Sequence, residues 1–265
     1  MVRFLRSGQK NLVLYALLLM VLPVGEAFGD LIIAGRVNNT PTDSFTFFSL
    51  RNLTAGETFY FTDNGWTGSA FRGASATDGD GNENLIRFTA NASINAGTLI
   101  NSTAANANWS WTTSGAIPGT TSGSFAHLAL GQGGEQIYAF SAPSNNPLLA
   151  PSSFHFVFDD TNGFENASSS STGSLPAGAV GVSINASVAG GVILSNDGLS
   201  RTAAGWQTYA TNASNWVASA NINSTGNFSI TAVPEPTSMV LVTLVGVAGV
   251  AIRARRRKTK IAMHS

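Results

Sequence analysis

The sequence predicts an all-β body carried between two membrane-directed ends. Three observations predict it. Short runs rich in β-branched and aromatic residues recur through the middle of the chain, with Gly, Asn and Asp turns between them. Phe45, Phe47, Phe59 and Phe61 fall on alternate positions, as a strand with one buried face requires. No long 3.6-residue period occurs in that middle region.

The runs, in order, are Leu31 to Val37, Ser44 to Leu50, Glu57 to Thr62, Asn84 to Thr89, Gly97 to Ile100, Glu135 to Ala139, Ser153 to Phe158, Val180 to Ile184 and Gly191 to Leu194. Turn formers separate them, among them Asn38-Asn39, Asp63-Asn64-Gly65, Asn145-Asn146-Pro147 and Thr161-Asn162-Gly163. A short helix is expected near Asn212 to Ala218. About nine short strands over residues 28–232 indicate a β-sandwich ectodomain of Greek-key or Ig-like type. The Ser-rich stretch 166–178 reads as a linker or as a long exposed loop. The residues after it are too few to bury much core alone, so one domain with a Ser-rich loop is the expectation.

Composition sets limits. The chain has 265 residues, 43% hydrophobic and only 11% charged, against roughly 25% charged in an average soluble domain. Asn, Ser and Thr (23, 30 and 25 residues) fill the gap. This much apolar residue with so little charge excludes a charge-rich disordered chain. Zero cysteines exclude disulfides, thiolate metal sites and a cysteine nucleophile. The net charge of zero hides a segregation: nine of the fourteen basic residues sit at the two ends. Between Phe28 and Ala232 five arginines and no lysine face twelve acids, a balance of about −7. A body without a basic patch argues against nucleic acid as a partner.

Arg3, Arg6 and Lys10 form a positive start, and Leu12 to Leu22 is then almost wholly apolar. That order fits a signal peptide over residues 1–27, with Pro23 breaking the helix and small residues at Gly25 and Ala27 marking cleavage after Ala27. The alternative is a signal anchor that stays uncut. Export takes the chain to a compartment where disulfides form. Having no cysteine, it must draw its stability from packing, ions or assembly.

At the other end, Ser238 to Ile252 is an uncharged apolar run. As a helix it spans roughly 23 Å, short of the ~30 Å hydrocarbon core. Adding Thr237 and snorkelling Arg253 and Arg255 closes most of the gap, so a transmembrane helix is expected over 237–252. Arg253, Arg255, Arg256, Arg257 and Lys258 form a basic stop that stays cytoplasmic. Immediately before the run stand Val233, Pro234, Glu235 and Pro236, whose two prolines hold the backbone extended. Pro-Glu-Pro, an apolar helix and an arginine cluster in this order resemble the PEP-CTERM sorting signal of Gram-negative bacteria, here over residues 233–260. The resemblance implies that a membrane-embedded exosortase recognises the Pro-Glu-Pro and processes the chain for the cell surface. The chain would be anchored in the inner membrane before that step. The match covers some thirty residues and concerns the route, not the activity of the cargo.

Within the body, Asp30 to Arg72 resembles the lamin-tail-like β-sandwich modules of bacterial secreted proteins. The carrying features are an opening strand (Asp30 to Ala34), the alternating phenylalanines, and Phe61-Thr62-Asp63-Asn64-Gly65-Trp66. Trp66 is expected as a core anchor beside a turn rather than as a ligand platform.

Candidate chemistry is sparse. Asp78-Gly79-Asp80-Gly81-Asn82-Glu83-Asn84 places oxygen ligands at alternate positions with glycines between them, which suits Ca²⁺ held by Asp78, Asp80, Asn82 and Asn84. Glu83 stands where an EF-hand loop needs glycine, so the competing reading is a polar turn between strands. Asp159-Asp160-Thr161-Asn162-Gly163 is a second, weaker acidic turn. Ca²⁺ is the sole cofactor candidate. His127 and His155 are available in principle to pair with a serine and an aspartate. No Gly-x-Ser-x-Gly elbow occurs, so structural histidines are expected and no catalytic residue is assigned. Gly131-Gln132-Gly133-Gly134 lacks the Lys-Ser/Thr ending of a phosphate loop and reads as a turn.

Two function classes remain. The first is a non-catalytic cell-surface or extracellular-matrix protein with a polar, low-charge surface suited to neutral extracellular polysaccharide. Trp109 and Trp111, two positions apart, would give it aromatic faces, unless they are a core-facing pair. The second is a secreted hydrolase acting on polysaccharide or ester.

Overall fold

Strand formation follows the apolar runs closely. The computed structural model describes residues 29–38, 43–72, 85–105, 108–113, 119–120, 128, 130, 135–143, 147–161, 163–165, 173–184 and 190–232. Side chains are described for these except 103–105, 108–113, 119–120 and 223–224. In chain order the strands are β1 (Leu31–Val37), β2 (Ser44–Ser49), β3 (Thr58–Thr62), β4 (Leu85–Ala90), β5 (Leu99–Ala105), β6 (Asn108–Thr113), β7 (Gly119–Thr120), β8 (Gln136–Ser141), β9 (Ser153–Asp159), β10 (Gly181–Ser183), β11 (Val192–Leu194) and β12 (Trp216–Ala218). They form two six-stranded sheets, β12-β11-β1-β2-β5-β6 and β10-β9-β8-β3-β4-β7. Hairpins alternate between the sheets: β1–β2 and β5–β6 lie in the first, β3–β4 and β8–β9 in the second. These pairs are antiparallel, whereas β9 and β10 run parallel. The body Phe28–Ala232 is one compact unit. The all-β sandwich read from the sequence is the fold.

The alternating phenylalanines fill the space between the sheets. The Phe61 ring centroid lies 5.0 Å from that of Phe45 and 4.7 Å from that of Phe47, and Phe88 meets Phe47 edge-on at 5.2 Å. Burying each such ring contributes about 1.5–3 kcal/mol, with tilted and edge-on contacts adding to it. Both outer faces are covered as well. On the first sheet Phe48 stacks on Phe228 at 4.2 Å and meets Trp206 edge-on. On the second, Tyr60, Trp66, Phe71, Tyr138 and Phe140 form a separate aromatic cluster with Phe154 packed against it. Trp66 is buried there, and its backbone N–H donates to the Tyr138 hydroxyl. The strands at the centre of each sheet are therefore buried on both faces, and β1 and β2 show no exposed position.

The helix is not where the sequence placed it. It spans Ala203–Ala210 (α1), capped by Thr202, whose hydroxyl accepts the Gly205 amide. The expected helix at 212–218 is instead a single 3-10 turn, Ala213–Asn215, followed by β12. Asn212 takes the Ser214 amide on its side chain, an Asn habit that favours caps and turns over helix interiors. Val217 then pairs with Ile193 in the sheet. The strand expected at 97–100 begins later and runs on to Ala105, because Gly97, at φ +78, makes the preceding turn.

Two β-bulges break the alternation. In β1, Ile33 pairs with Phe47 but Gly35 with Thr46, so Ala34 is extra and Arg36 comes into register with the inward Phe45. In the β8–β9 hairpin, Ala139 pairs with Phe156 and Phe140 with Phe154, so His155 is the extra residue. A bulge re-aims the side chains beyond it. Gly35 permits the first bend, since a Cβ there would lie 2.7 Å from the Val192 carbonyl oxygen of β11.

Candidate functional site

The bulges concentrate the buried polar chemistry at the two ends of the sandwich. At one end Arg36 is 3% exposed and reaches Asp160, just beyond β9. Its Nε and a terminal nitrogen approach Asp160 Oδ2 at 2.6 and 2.5 Å. The other oxygen, Asp160 Oδ1, accepts the Glu135 amide at 2.6 Å. The adjacent Asp159 is equally occupied. Its Oδ1 accepts the amide and hydroxyl of Thr161, and its Oδ2 accepts the Gly163 amide and the Ser183 hydroxyl. Burial pushes the Asp160 carboxyl above the ordinary carboxylate range, and Arg36 and the Glu135 amide pull it part of the way back. The carboxylate oxygens of Asp159 and Asp160 are thus all met by protein donors. Among the described residues no three His, Asp or Glu side chains are grouped to hold a metal ion.

At the other end His155 lies against the edge of Phe59 at 5.2 Å. Its Nδ1 accepts the Asp30 backbone amide at 3.2 Å, and its Nε2 stands 2.8 Å from the Ser141 hydroxyl. An N–H facing Nδ1 fixes a lone pair on that atom, so the ring proton sits on Nε2 and points at Ser141 Oγ. Nucleophilic catalysis needs the reverse, a bare nitrogen ready to take the serine proton. Burial lowers the His155 pKa and holds the ring neutral. Around the rim Arg51 bridges Asp30 at 2.9 Å and Glu57 at 2.7 Å, and Arg51 pulls the Glu57 carboxyl below its usual range. Both ring nitrogens of His155 thus have partners within the body.

The remaining sequence candidates fall elsewhere. Asp78, Asp80, Asn82 and Asn84 lie outside the described residues, as do His127, the Gly131–Gly134 turn, the Pro-Glu-Pro segment, the basic stop and the span expected over 237–252. No helix among the described residues is long and apolar enough to cross a membrane. The backbone of Trp109 and Trp111 forms part of β6, opposite Ala104 and Ser102, and their side chains lie outside the description. The Arg36–Asp160 contact was not read from the sequence. Its signal was a lone arginine inside the apolar run of β1.

The body ends on an anchored segment. Arg201 donates its backbone amide to Ser229 and accepts that of Thr231, a parallel bridge centred on Ile230. Phe228 donates its backbone amide to the Gly97 carbonyl at 2.8 Å, and the Gly97 amide donates to the Ser49 carbonyl at 2.8 Å. The Arg201 guanidinium is paired twice with Asp197 and lies over the rings of Trp206 and Tyr209. That pair holds the exposed Asp197 carboxyl down to about 2.

Beyond the anchored segment the chain matches one known pattern. A family model described as the PEP-CTERM protein-sorting motif matches residues 232–257. No curated protein and no solved structure matches the chain. The motif marks an exported protein that is handled by exosortase, with a C-terminal membrane-anchoring region, and sorted to the cell surface.

Proposed function

We propose, from that sorting signal, that the chain is a non-catalytic surface or matrix protein whose β-sandwich is displayed for contact with neutral extracellular polysaccharide. The observation that carries the reading is the position of the signal: the match begins at residue 232, directly after Thr231, whose amide donates to the Arg201 carbonyl of the body. Two further observations support it. The Ser141–His155 pair holds its proton in the sense opposite to nucleophilic catalysis. The acids at the other end are taken up by Arg36, backbone amides and hydroxyls. A chain with 11% charged residues and abundant Asn, Ser and Thr suits hydrogen bonding to sugar hydroxyls. Trp109 and Trp111 on the edge strand β6 would supply the aromatic faces.

The test is a glycan array and a panel of ester and glycoside substrates, probed with the exported protein recovered from the surface fraction. The expected outcome is binding to a neutral glycan without turnover, weakened in Trp109→Ala and Trp111→Ala. Turnover that disappears when one acid or histidine is changed would replace this reading with a secreted hydrolase. Failure to bind any glycan would remove the polysaccharide partner.

A further inference from the structure

The head of β1 is held against the opposite sheet by the β9 bulge. A Cβ on Gly29 would lie 1.9 Å from the His155 carbonyl oxygen, so only glycine lets the two backbones meet this closely. One residue on, the Asp30 amide donates to His155 Nδ1 at 3.2 Å. β1 belongs to the first sheet and β9 to the second, so the bond crosses from one sheet to the other.

Other bonds of Gly29 and Asp30 stay within the first sheet or reach α1. The Asp30 carbonyl accepts the Leu50 amide at 2.8 Å and the Ser49 hydroxyl at 3.2 Å, and the Asp30 carboxylate accepts Arg51 Nε at 2.9 Å. The Gly29 carbonyl accepts Gln207 Nε2 at 2.9 Å. Of these contacts, the one to His155 alone depends on a group that titrates near neutrality. Among the described residues two charged side chains face the ring, Asp30 from the head of β1 and Arg51 from the turn after β2, and Arg51 also carries Glu57 at 2.7 Å. β3 presents Phe59 to the ring, and β8 presents Ser141.

Nδ1 accepts the Asp30 amide only while it holds a lone pair. A proton taken from solvent fills that pair, and two N–H groups then face each other, whereas Nε2–H keeps Ser141 Oγ as its acceptor. An imidazolium left in place would be buried with one N–H unmet, at a cost that water relieves. We propose that His155 is an acid-released latch: its protonation breaks the bond to Asp30 and parts Gly29–Asp30 from the second sheet, while the sandwich stays folded. Arg51 and the Leu50 amide hold Asp30 to the first sheet in both states, so the head of β1 stays with its own sheet and the opening is local.

The test is hydrogen exchange of the full chain, followed at the Asp30 amide as pH is lowered from neutrality. Protection there, corrected for the intrinsic pH dependence of exchange, should fall as pH drops below the ordinary histidine value of 6.5, by up to about tenfold per unit, because opening takes up one proton. The amides of β3, in the middle of the second sheet, should keep their protection over the same range. His155→Gln keeps a donor and an acceptor without a titrating ring, and should make protection at Asp30 independent of pH there. The ring nitrogen shifts of the unaltered chain give a second reading by NMR, which stands even where the variant does not fold. They should place the proton on Nε2 at neutral pH, and show a second proton entering Nδ1 as protection at Asp30 falls. Protection at Asp30 that stays flat, or that falls together with that of β3, would overturn the latch. So would a slope in His155→Gln equal to that of the parent, or a ring that titrates with no change at Asp30.

Discussion

The two ends of the sandwich use one backbone device and reach opposite electrostatic solutions. At each, a β-bulge turns a single titratable side chain into a buried position: Arg36 beyond Ala34 in β1, and His155 itself in β9. The Arg36 guanidinium is matched by Asp160, which meets it through two nitrogens, and the second Asp160 oxygen is held by the Glu135 amide. His155 stays neutral because a backbone N–H faces one ring nitrogen and burial penalises the cation. The contrast shows that a polar group survives in this core when its partners fix its charge state, whichever state that is.

The comparison is broken most severely at the charged end. Asp160→Ala leaves the Arg36 guanidinium buried without its carboxylate, and should cost about 3 kcal/mol or more in urea unfolding, read as a lower midpoint at unchanged slope. Replacing both partners with apolar residues, Arg36→Met with Asp160→Leu, should restore most of that loss. A double variant as weak as the single one would mean that the pair contributes more than mutual neutralisation.

The neutral end should break more gently. Ser141→Ala strips the acceptor from the His155 Nε2–H and should cost about 1–2 kcal/mol, the penalty of one unsatisfied buried donor. An unchanged midpoint would show that the proton is not on Nε2.

The smallest effect is in the pH dependence, where the ends differ in sign. The folded pKa of His155 is lowered, so its contribution is present above the ordinary value of 6.5 and is lost as pH falls through the folded value. The folded pKa of Asp160 is raised, so its contribution is present in acid and is lost as pH rises through the folded value. Acidification from neutrality should therefore lower the melting temperature through His155, and His155→Gln should flatten that slope. An equally steep slope in the variant would shift the cause to other groups.

Much of the sandwich was legible in the sequence, and the reason is period. Phe45, Phe47 and Phe61 alternate in the sequence and line the inner face together. Trp66 beside its turn is a buried anchor. What the sequence did not display was anything set by a one-residue change of register. Ala34 and His155 look like ordinary strand positions, yet they decide which side chains turn inward. The His155–Ser141 contact joins two strands across a hairpin, and Arg36 meets Asp160 from the other sheet, so neither pairing follows from local pattern. The short strands β7 and β12 owe their pairing to neighbours rather than to their own propensity. The helix was misplaced because α1 is two turns long and buries only Trp206, Gln207 and Ala210, too short a stripe to show as a period.

The sorting signal was the most legible functional feature, because its parts are contiguous and chemically distinct. The most direct test of the whole account is the intact mass of the chain in surface fractions from cells with and without exosortase. The account predicts a chain that begins after Ala27 and loses the segment beyond Pro-Glu-Pro only where the enzyme is present. Recovery of all 265 residues as a soluble protein inside the cell, with or without the enzyme, would contradict it.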